Sequence, residues 1–347
     1  MKRRLLVVVG VVLGLWLAWG AWTERYPEEE RELRIQVQEQ LWDWFPEQMS
    51  PAEQATGFFR HDQAVQPPAD VEVVLVHGVD EPGGIWSQLQ QRLDTEGIEQ
   101  VEFRYPNDQA VDASADALAS AWPGLASSRR VVLVGHSMGG LVIRDFVSRH
   151  RHPVESAPTV DGPEVRGTIL IATPNHGSEW ARLRAWLELR EYAADLPAGD
   201  FSLFAALRDG TGAAKIDLRP GSEYLQQLNA RPWPDTVPIR IIGGRIAEPT
   251  PVMERELADL SQELGLPELK KTISELWSQT GQSIGDGAVA VDSLPLQEAP
   301  PPMVLQASHR GLIAPMPFSD RTPPAIAPVI DYLNEWRDSP TASRTRN

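Results

Sequence analysis

One serine stands where a nucleophile is built. Gly135-His136-Ser137-Met138-Gly139 follows the short apolar run Val131-Val-Leu-Val134, and Gly140 opens a stretch carrying Leu141, Val142, Ile143, Phe146 and Val147 at helical spacing. A Gly-x-Ser-x-Gly segment between a buried strand and an amphipathic helix marks a tight turn that presents the serine hydroxyl. Side chains at 135 and 139 would collide with neighbouring strands, and glycine removes both clashes. Ser137 would then sit at a helix N-terminus, where free amides and the helix dipole favour developing negative charge. A mere tight turn is the plainer alternative. A serine hydroxyl needs a base, and the base needs an orienting acid. Four histidines follow the serine: His150, His152, His176 and His309. His150 and His152 end the helix after the serine and read as surface residues. His176 lies in a Thr-Pro loop and reads as loop packing. His309 directly follows the apolar run Met303 to Ala307 and suits the general base.

The elements that position these residues alternate. Val71 to Val76, Val101 to Tyr105, Val131 to Val134, Thr168 to Ala172, Val237 to Ile242 and Met303 to Ala307 read as strands. Helical stretches such as Ala110 to Ser127 separate them, and Ala325 to Arg337 reads as a terminal helix. Strands alternating with helices predict an α/β fold, a mostly parallel central sheet with helices on both faces.

Charge and composition exclude several functions. The 347 residues hold 32 Lys+Arg against 48 Asp+Glu, a formal balance of −16. Nucleic acid is an unsuitable partner, because phosphate neutralisation needs clustered cations. The chain has no cysteine, which excludes disulfides, thiolate metal sites, a cysteine nucleophile and a lipidated N-terminal Cys. No phosphate-cradling Gly-x-x-x-x-Gly-Lys loop and no His-Glu-x-x-His zinc spacing occurs, so neither a metal nor a cofactor is expected.

The N-terminus suggests export. Lys2, Arg3 and Arg4 precede an uncharged run of 18 residues, Leu5 to Trp22, and acidic residues follow it. As a helix the run would reach roughly 27 Å, close to the hydrocarbon thickness. The positive-inside rule places the first residues in the cytoplasm and the rest outside. Two readings compete. In one, the run is an uncleaved transmembrane anchor in a bacterial inner membrane, with Trp16, Trp19 and Trp22 at the far interface and the body periplasmic or extracellular. In the other, it is a signal peptide cut near Ala18-Trp19-Gly20. Residues 24 to 60 carry nine acidic and four basic side chains, with Leu33, Val37, Leu41, Trp44 and Phe45 at helical spacing. They predict a helix that packs on its own domain or lies at the bilayer. The expected division is an anchor over 1–23, an acidic helical stalk over 24–68, a catalytic domain over 69–337 and a disordered tail over 338–347.

From about residue 71 to 335 the sequence resembles a serine hydrolase of the α/β-hydrolase superfamily, close to bacterial triacylglycerol lipases and esterases. Val73-Val-Leu-Val76 leads into His77-Gly78-Val79, where such lipases build an oxyanion hole. Ile171-Ala-Thr-Pro-Asn-His-Gly-Ser178 resembles their Thr-Pro-His-x-Gly-Ser loop. Asp217-Leu-Arg-Pro-Gly-Ser-Glu-Tyr-Leu-Gln-Gln-Leu228 resembles a segment they place beyond the cap. The resemblance implies an α/β-hydrolase fold and the chain order Ser, acid, His. It points to Asp286, in Gly285-Asp-Gly-Ala-Val289, as the acid, with Asp292 and Asp235 as competitors. It implies His309 as the base, and the amides of Val79 and Met138 as oxyanion donors. His77 reads as a structural histidine of the loop.

Two insertions interrupt the pattern. Residues 179–214 include Trp180, Trp186 and Phe204 and predict a helical cap, either a mobile lid lining an acyl pocket or a static cover. Residues 251–280 predict two polar helices. The expected activity is hydrolysis of carboxylic esters or lipids, and the membrane is the expected partner through the N-terminal helix. A phospholipase, an inositol-deacylase-like enzyme or an acyltransferase would use the same residues. A catalytically silent binding module on the same fold is the alternative from another class.

Overall fold

The computed structural model describes residues 18–19, 21–45, 56–79, 84–179, 212–246, 285–316 and 321–338. Its centre is an eight-stranded sheet in the order β2-β1-β4-β3-β5-β6-β7-β8. The strands are β1 (Gly57–Arg60), β2 (Gln63–Ala64), β3 (Val73–Val76), β4 (Gln100–Arg104), β5 (Arg130–His136), β6 (Glu164–Ile171), β7 (Ile239–Arg245) and β8 (Met303–Gln306). Strands β3 to β8 pair in parallel, while β1 pairs antiparallel with both β2 and β4.

The near-continuous apolar runs of the central strands arise because both faces of the sheet are covered. Successive side chains point to opposite faces. Val74 and Val76 of β3 and Val131 and Leu133 of β5 join one core cluster, which Leu118, Leu141 and Phe146 complete. Val73, Leu75, Val132 and Val134 join the other, with Leu89, Leu93, Val329 and Leu333. Helices α2 (Ser87–Thr95) and α7 (Ile326–Asp338) cover that second face. On the first lie α3 (Val111–Ala121), α4 (Met138–Asp145), which runs on into a π-helical turn over Phe146–Arg151, and α6 (Glu223–Ala230). A short helix, α5 (Ala214–Asp217), precedes α6.

The segment read as an acidic stalk behaves differently along its length. Helix α1 (Pro27–Trp44) is fastened to the body by its charged residues. Arg31 donates from Nε to Asp217 Oδ1 at 2.6 Å and pairs with Asp112 at 2.9 Å. Glu30, 1% exposed, meets Arg219 at 3.1 Å. Gln38 donates to Asp108 at 3.0 Å. Residues 57–64 form no stalk at all: the β1–β2 hairpin extends the sheet beyond β4.

Residues 1–17 of the expected anchor lie outside the described residues, as do nearly all of 179–214, all of 251–280 and the tail from 339. Ala18–Trp19 and Ala21–Arg25 are helical. Among the described residues no helix is long and apolar enough to cross a membrane.

Candidate active site

The chain steps from β3 outward to β4 and then returns to place β5 on the other side of β3. Such a reversal opens a crevice at the carboxyl ends of the two flanking strands. The parallel register pairs Val76 of β3 with Gly135 of β5. The loop after β3 therefore emerges beside the turn after β5, and the candidate residues gather there.

Ser137 adopts φ 53°, ψ −128°, in the positive-φ range that ordinary side chains avoid. Several contacts hold it there. Its amide donates to Ile171 O at 2.8 Å, and its carbonyl accepts from the Gly140 amide at 3.1 Å. A Cβ on Gly135 would lie 2.7 Å from the Gly140 nitrogen, and one on Gly139 would overlap the Val76 and His77 carbonyls. The strained turn thus exists because glycines let α4 start directly against β3 and β5. Met138 is the first residue of α4, so its amide belongs to the free N-terminal donors of that helix.

Gly78 closes on the serine from the other side. A Cβ there would stand 2.8 Å from Ser137 Cβ and 3.3 Å from its Oγ. Val79 follows it in the chain. The preceding His77 is 6% exposed, stacks on Tyr105 at 4.5 Å between ring centroids and donates from Nδ1 to Gly78 O at 3.0 Å. Tyr105 donates its hydroxyl to His77 O at 2.6 Å. Burial lowers the His77 pKa to about 4, so the ring is neutral and fixes the loop, as its structural reading expects.

Asp286 reaches the same crevice from the other end of the sheet. Chain leaves β7, and Ile246 N meets Gly285 O at 2.8 Å on its return. Asp286 therefore sits at the carboxyl end of β7. Gly285 (φ 62°) and Gly287 (φ 96°) supply the left-handed turns on either side. The Asp286 carboxylate is 1% exposed. Its Oδ1 accepts from the amides of Ala288 at 2.9 Å and Val289 at 2.7 Å. Its Oδ2 accepts from His309 Nδ1 at 2.8 Å. Asp292 and Asp235, the competing acids, are both exposed.

His309 follows β8 and caps a single turn over Arg310–Leu312. With Nδ1 bound to the carboxylate, Nε2 is the nitrogen left to serve as a base. Its carbonyl accepts from His136 Nε2 at 3.2 Å, and the two rings lie 4.7 Å apart. His136 is the residue before Ser137, so this contact joins the His309 segment to the Ser137 turn. Burial, and then the neighbouring His309, hold the His136 pKa well below the usual histidine value. A neutral ring with its proton on Nε2 is what the His309 carbonyl requires. The sequence signal for His136 was only the variable position of Gly-x-Ser-x-Gly, which carried no role.

The remaining histidines lie elsewhere. His176 Nε2 bonds Pro295 O at 2.9 Å, which is loop packing. His150 contacts Asp116 and Thr159. His152 accepts from the Val165 amide at the start of β6, at the opposite end of the sheet. Trp180, Trp186 and Phe204, the candidate acyl-pocket residues, fall outside the described residues. Among the described residues no group of three or more His, Cys, Asp or Glu is placed to hold a metal ion.

The model of the Alpha/beta hydrolase family matches residues 73–269, more than half of the 347. The chain belongs to that family. Comparison with curated proteins finds no match. Among solved structures, lipase 1 from Pelosinus fermentans superposes with a TM-score of 0.51 at 14% identity, over 79% of this chain and 100% of that one. A metagenomic carboxyl esterase gives 0.50 at 15% identity, over 80% of this chain and 79% of that one. The propeptide form of a Bacillus licheniformis lipase gives 0.50 at 17% identity, over 84% of this chain and 55% of that one. At these identities the likeness is one of fold, the α/β-hydrolase fold with its mostly parallel sheet.

Proposed function

We propose that this α/β-hydrolase is a serine carboxylic-ester hydrolase acting on acyl esters or lipids. The observation that carries the reading is the convergence of three separate chain segments on Ser137. Gly78 packs against it, His136 joins its turn to His309, and Asp286 binds the far side of that histidine's ring. The solved structures of similar fold include lipases and an esterase.

The chemistry follows from the arrangement. Ser137 Oγ attacks the ester carbonyl carbon while its proton passes to His309 Nε2. The carbonyl oxygen takes up negative charge and accepts from the Val79 and Met138 amides. Asp286 stays ionised and stabilises the imidazolium. Collapse breaks the ester C–O bond, and the imidazolium proton goes to the departing alcohol. Water, deprotonated by the same histidine, then attacks the acyl-serine, and the free acid leaves with Ser137 restored. Each oxyanion donor is worth about 2.7–4 kcal/mol of transition-state stabilisation.

Turnover of a short-chain chromogenic ester tests this. Activity abolished in Ser137→Ala supports the reading, and undiminished activity in that variant overturns it.

The same proposal places the enzyme outside the cytoplasm at a bacterial inner membrane, held by the apolar run Leu5 to Trp22. Its support is the charge asymmetry about that run and the exposure of Trp19 (46%) near its end and of Tyr26 (45%) just after it. Retention of the full-mass chain in membranes after alkaline carbonate extraction supports an anchor. Release of a chain shortened near residue 20 contradicts it.

A further inference from the structure

Arg144, in the last turn of α4, is 5% exposed. A guanidinium carries five N–H donors and no acceptor. Here Nη1 donates to Asn175 Oδ1 at 3.2 Å and Nη2 to Asn229 Oδ1 at 2.8 Å. Both acceptors are neutral amides, and Nε is buried with no hydrogen-bond partner. The adjacent carboxylate, Asp145, is already engaged by Arg149 at 2.8 Å and Arg231 at 2.6 Å. One carboxylate therefore serves two guanidinium groups while Arg144 forms no ion pair among the described residues. Burial lowers its pKa to about 10, which still leaves it charged at neutral pH.

The side chain lines a cavity of about 150 Å³, together with Ser148, His176, Asn229, Arg231 and the exposed Glu298. At about 30 Å³ for each water in the liquid, that is the room of roughly five waters. Asp145 and Glu298 attract Arg144 from a distance, but no described carboxylate bonds it directly. A buried charge so placed is costly, and a charge-assisted hydrogen bond to an oxyanion offsets that cost.

We propose that this cavity is an anion site, in which Arg144 binds one small oxyanion, a phosphate or a short-chain carboxylate. The site is separate from Ser137 and does not depend on the serine chemistry. Its walls come from α4, from α6 and from the loop of Asn175. Asn175 Nδ2 donates to Leu294 O at 2.6 Å, on the stretch that carries Asp286. A bound anion therefore ties α4 to that stretch and stabilises the folded enzyme.

The test is calorimetric titration of the full chain with inorganic phosphate and, separately, with sodium butyrate, at ionic strength held constant with sodium chloride. Saturable binding of one anion per chain is expected, with a higher melting midpoint than in chloride alone. Phosphate binding alone identifies the ligand class as phosphate, and butyrate binding alone as carboxylate. Arg144→Gln should abolish binding. Should that variant fail to fold, Glu298→Gln decides, because loss of a like charge at the cavity wall should tighten binding about fivefold. Absence of saturable binding for both anions up to about 50 mM, or identical affinity in Glu298→Gln, overturns the proposal.

Discussion

His309 is joined to Asp286 twice, once through its ring and once through its backbone. The ring Nδ1 lies 2.8 Å from Asp286 Oδ2, and the His309 amide donates to the Asp286 carbonyl at 2.9 Å. The backbone bond fixes the two segments in register, so the ring bond is made without further ordering. The His309 ring is thereby held in one tautomer and one orientation.

Asp286→Asn should consequently retain the fold and lose turnover. The amide can still sit at the same place, but it no longer compels the Nδ1–H tautomer or stabilises the imidazolium. A fall in kcat of about 10³–10⁴-fold is expected, with KM little changed. Steady-state kinetics with an activated ester check it, and a loss below tenfold would contradict the assigned acid.

Gly78→Ala tests the closeness of the loop after β3, the proposed oxyanion loop, to Ser137. The new methyl would stand 2.8 Å from Ser137 Cβ, so the loop or the serine turn must shift. A displaced donor is expected to cost about 10²-fold in kcat/KM, while circular dichroism remains that of the native fold. Unaltered kinetics would show that the loop does not approach the reacting atoms.

Acid stability should carry the signature of the buried His77. Its pKa of about 4 in the folded chain lies below the value of about 6.5 in an unfolded one. Between those values the unfolded chain binds a proton that the folded chain refuses. The stabilisation is therefore complete above about pH 6.5 and is lost as pH falls toward 4. The full difference corresponds to about 3 kcal/mol at 1.36 kcal/mol per unit. His136 acts in the same direction but is present in both chains when wild type is compared with His77→Gln. Urea unfolding at pH 7 and pH 4.5 should show a smaller pH effect in the variant, and parallel profiles would contradict the burial argument.

The docking of α1 makes a separate claim. Burial pushes the Asp217 pKa up to about 6, against the pull of Arg31, so at neutral pH the carboxylate is ionised and depends on that partner. Arg31→Ala strands the charge and should destabilise the protein by about 3 kcal/mol. Adding Asp217→Asn should recover most of the loss. Urea denaturation of the single and double variants decides it, and a loss under about 0.5 kcal/mol would mean the helix is held by other contacts.

The candidate site residues, and the places the fold gives them, stood out in the sequence because each carries a local constraint. Ser137 needed glycines around a strained turn, Asp286 needed glycines at left-handed φ, and His309 followed an apolar strand. The parallel sheet was legible for a related reason, since strands buried on both faces have uninterrupted apolar runs. The β1–β2 hairpin was not. Gly57-Phe-Phe-Arg60 is a short strand next to the sheet edge with half-buried side chains, and no period distinguishes it inside an acidic segment. Nor were the contacts of His136 and Arg144 legible. Their partners, His309 and Asn229, lie 173 and 85 residues away along the chain, and only the register of the sheet and the seat of α6 bring them together.

Labelling of the full chain with a fluorophosphonate, followed by peptide mass spectrometry, tests the central claim most directly. One adduct per chain is expected, on the peptide containing Ser137, and none in Ser137→Ala. An adduct on another residue, or no adduct on a natively folded chain, would contradict the assignment of Ser137 as the nucleophile.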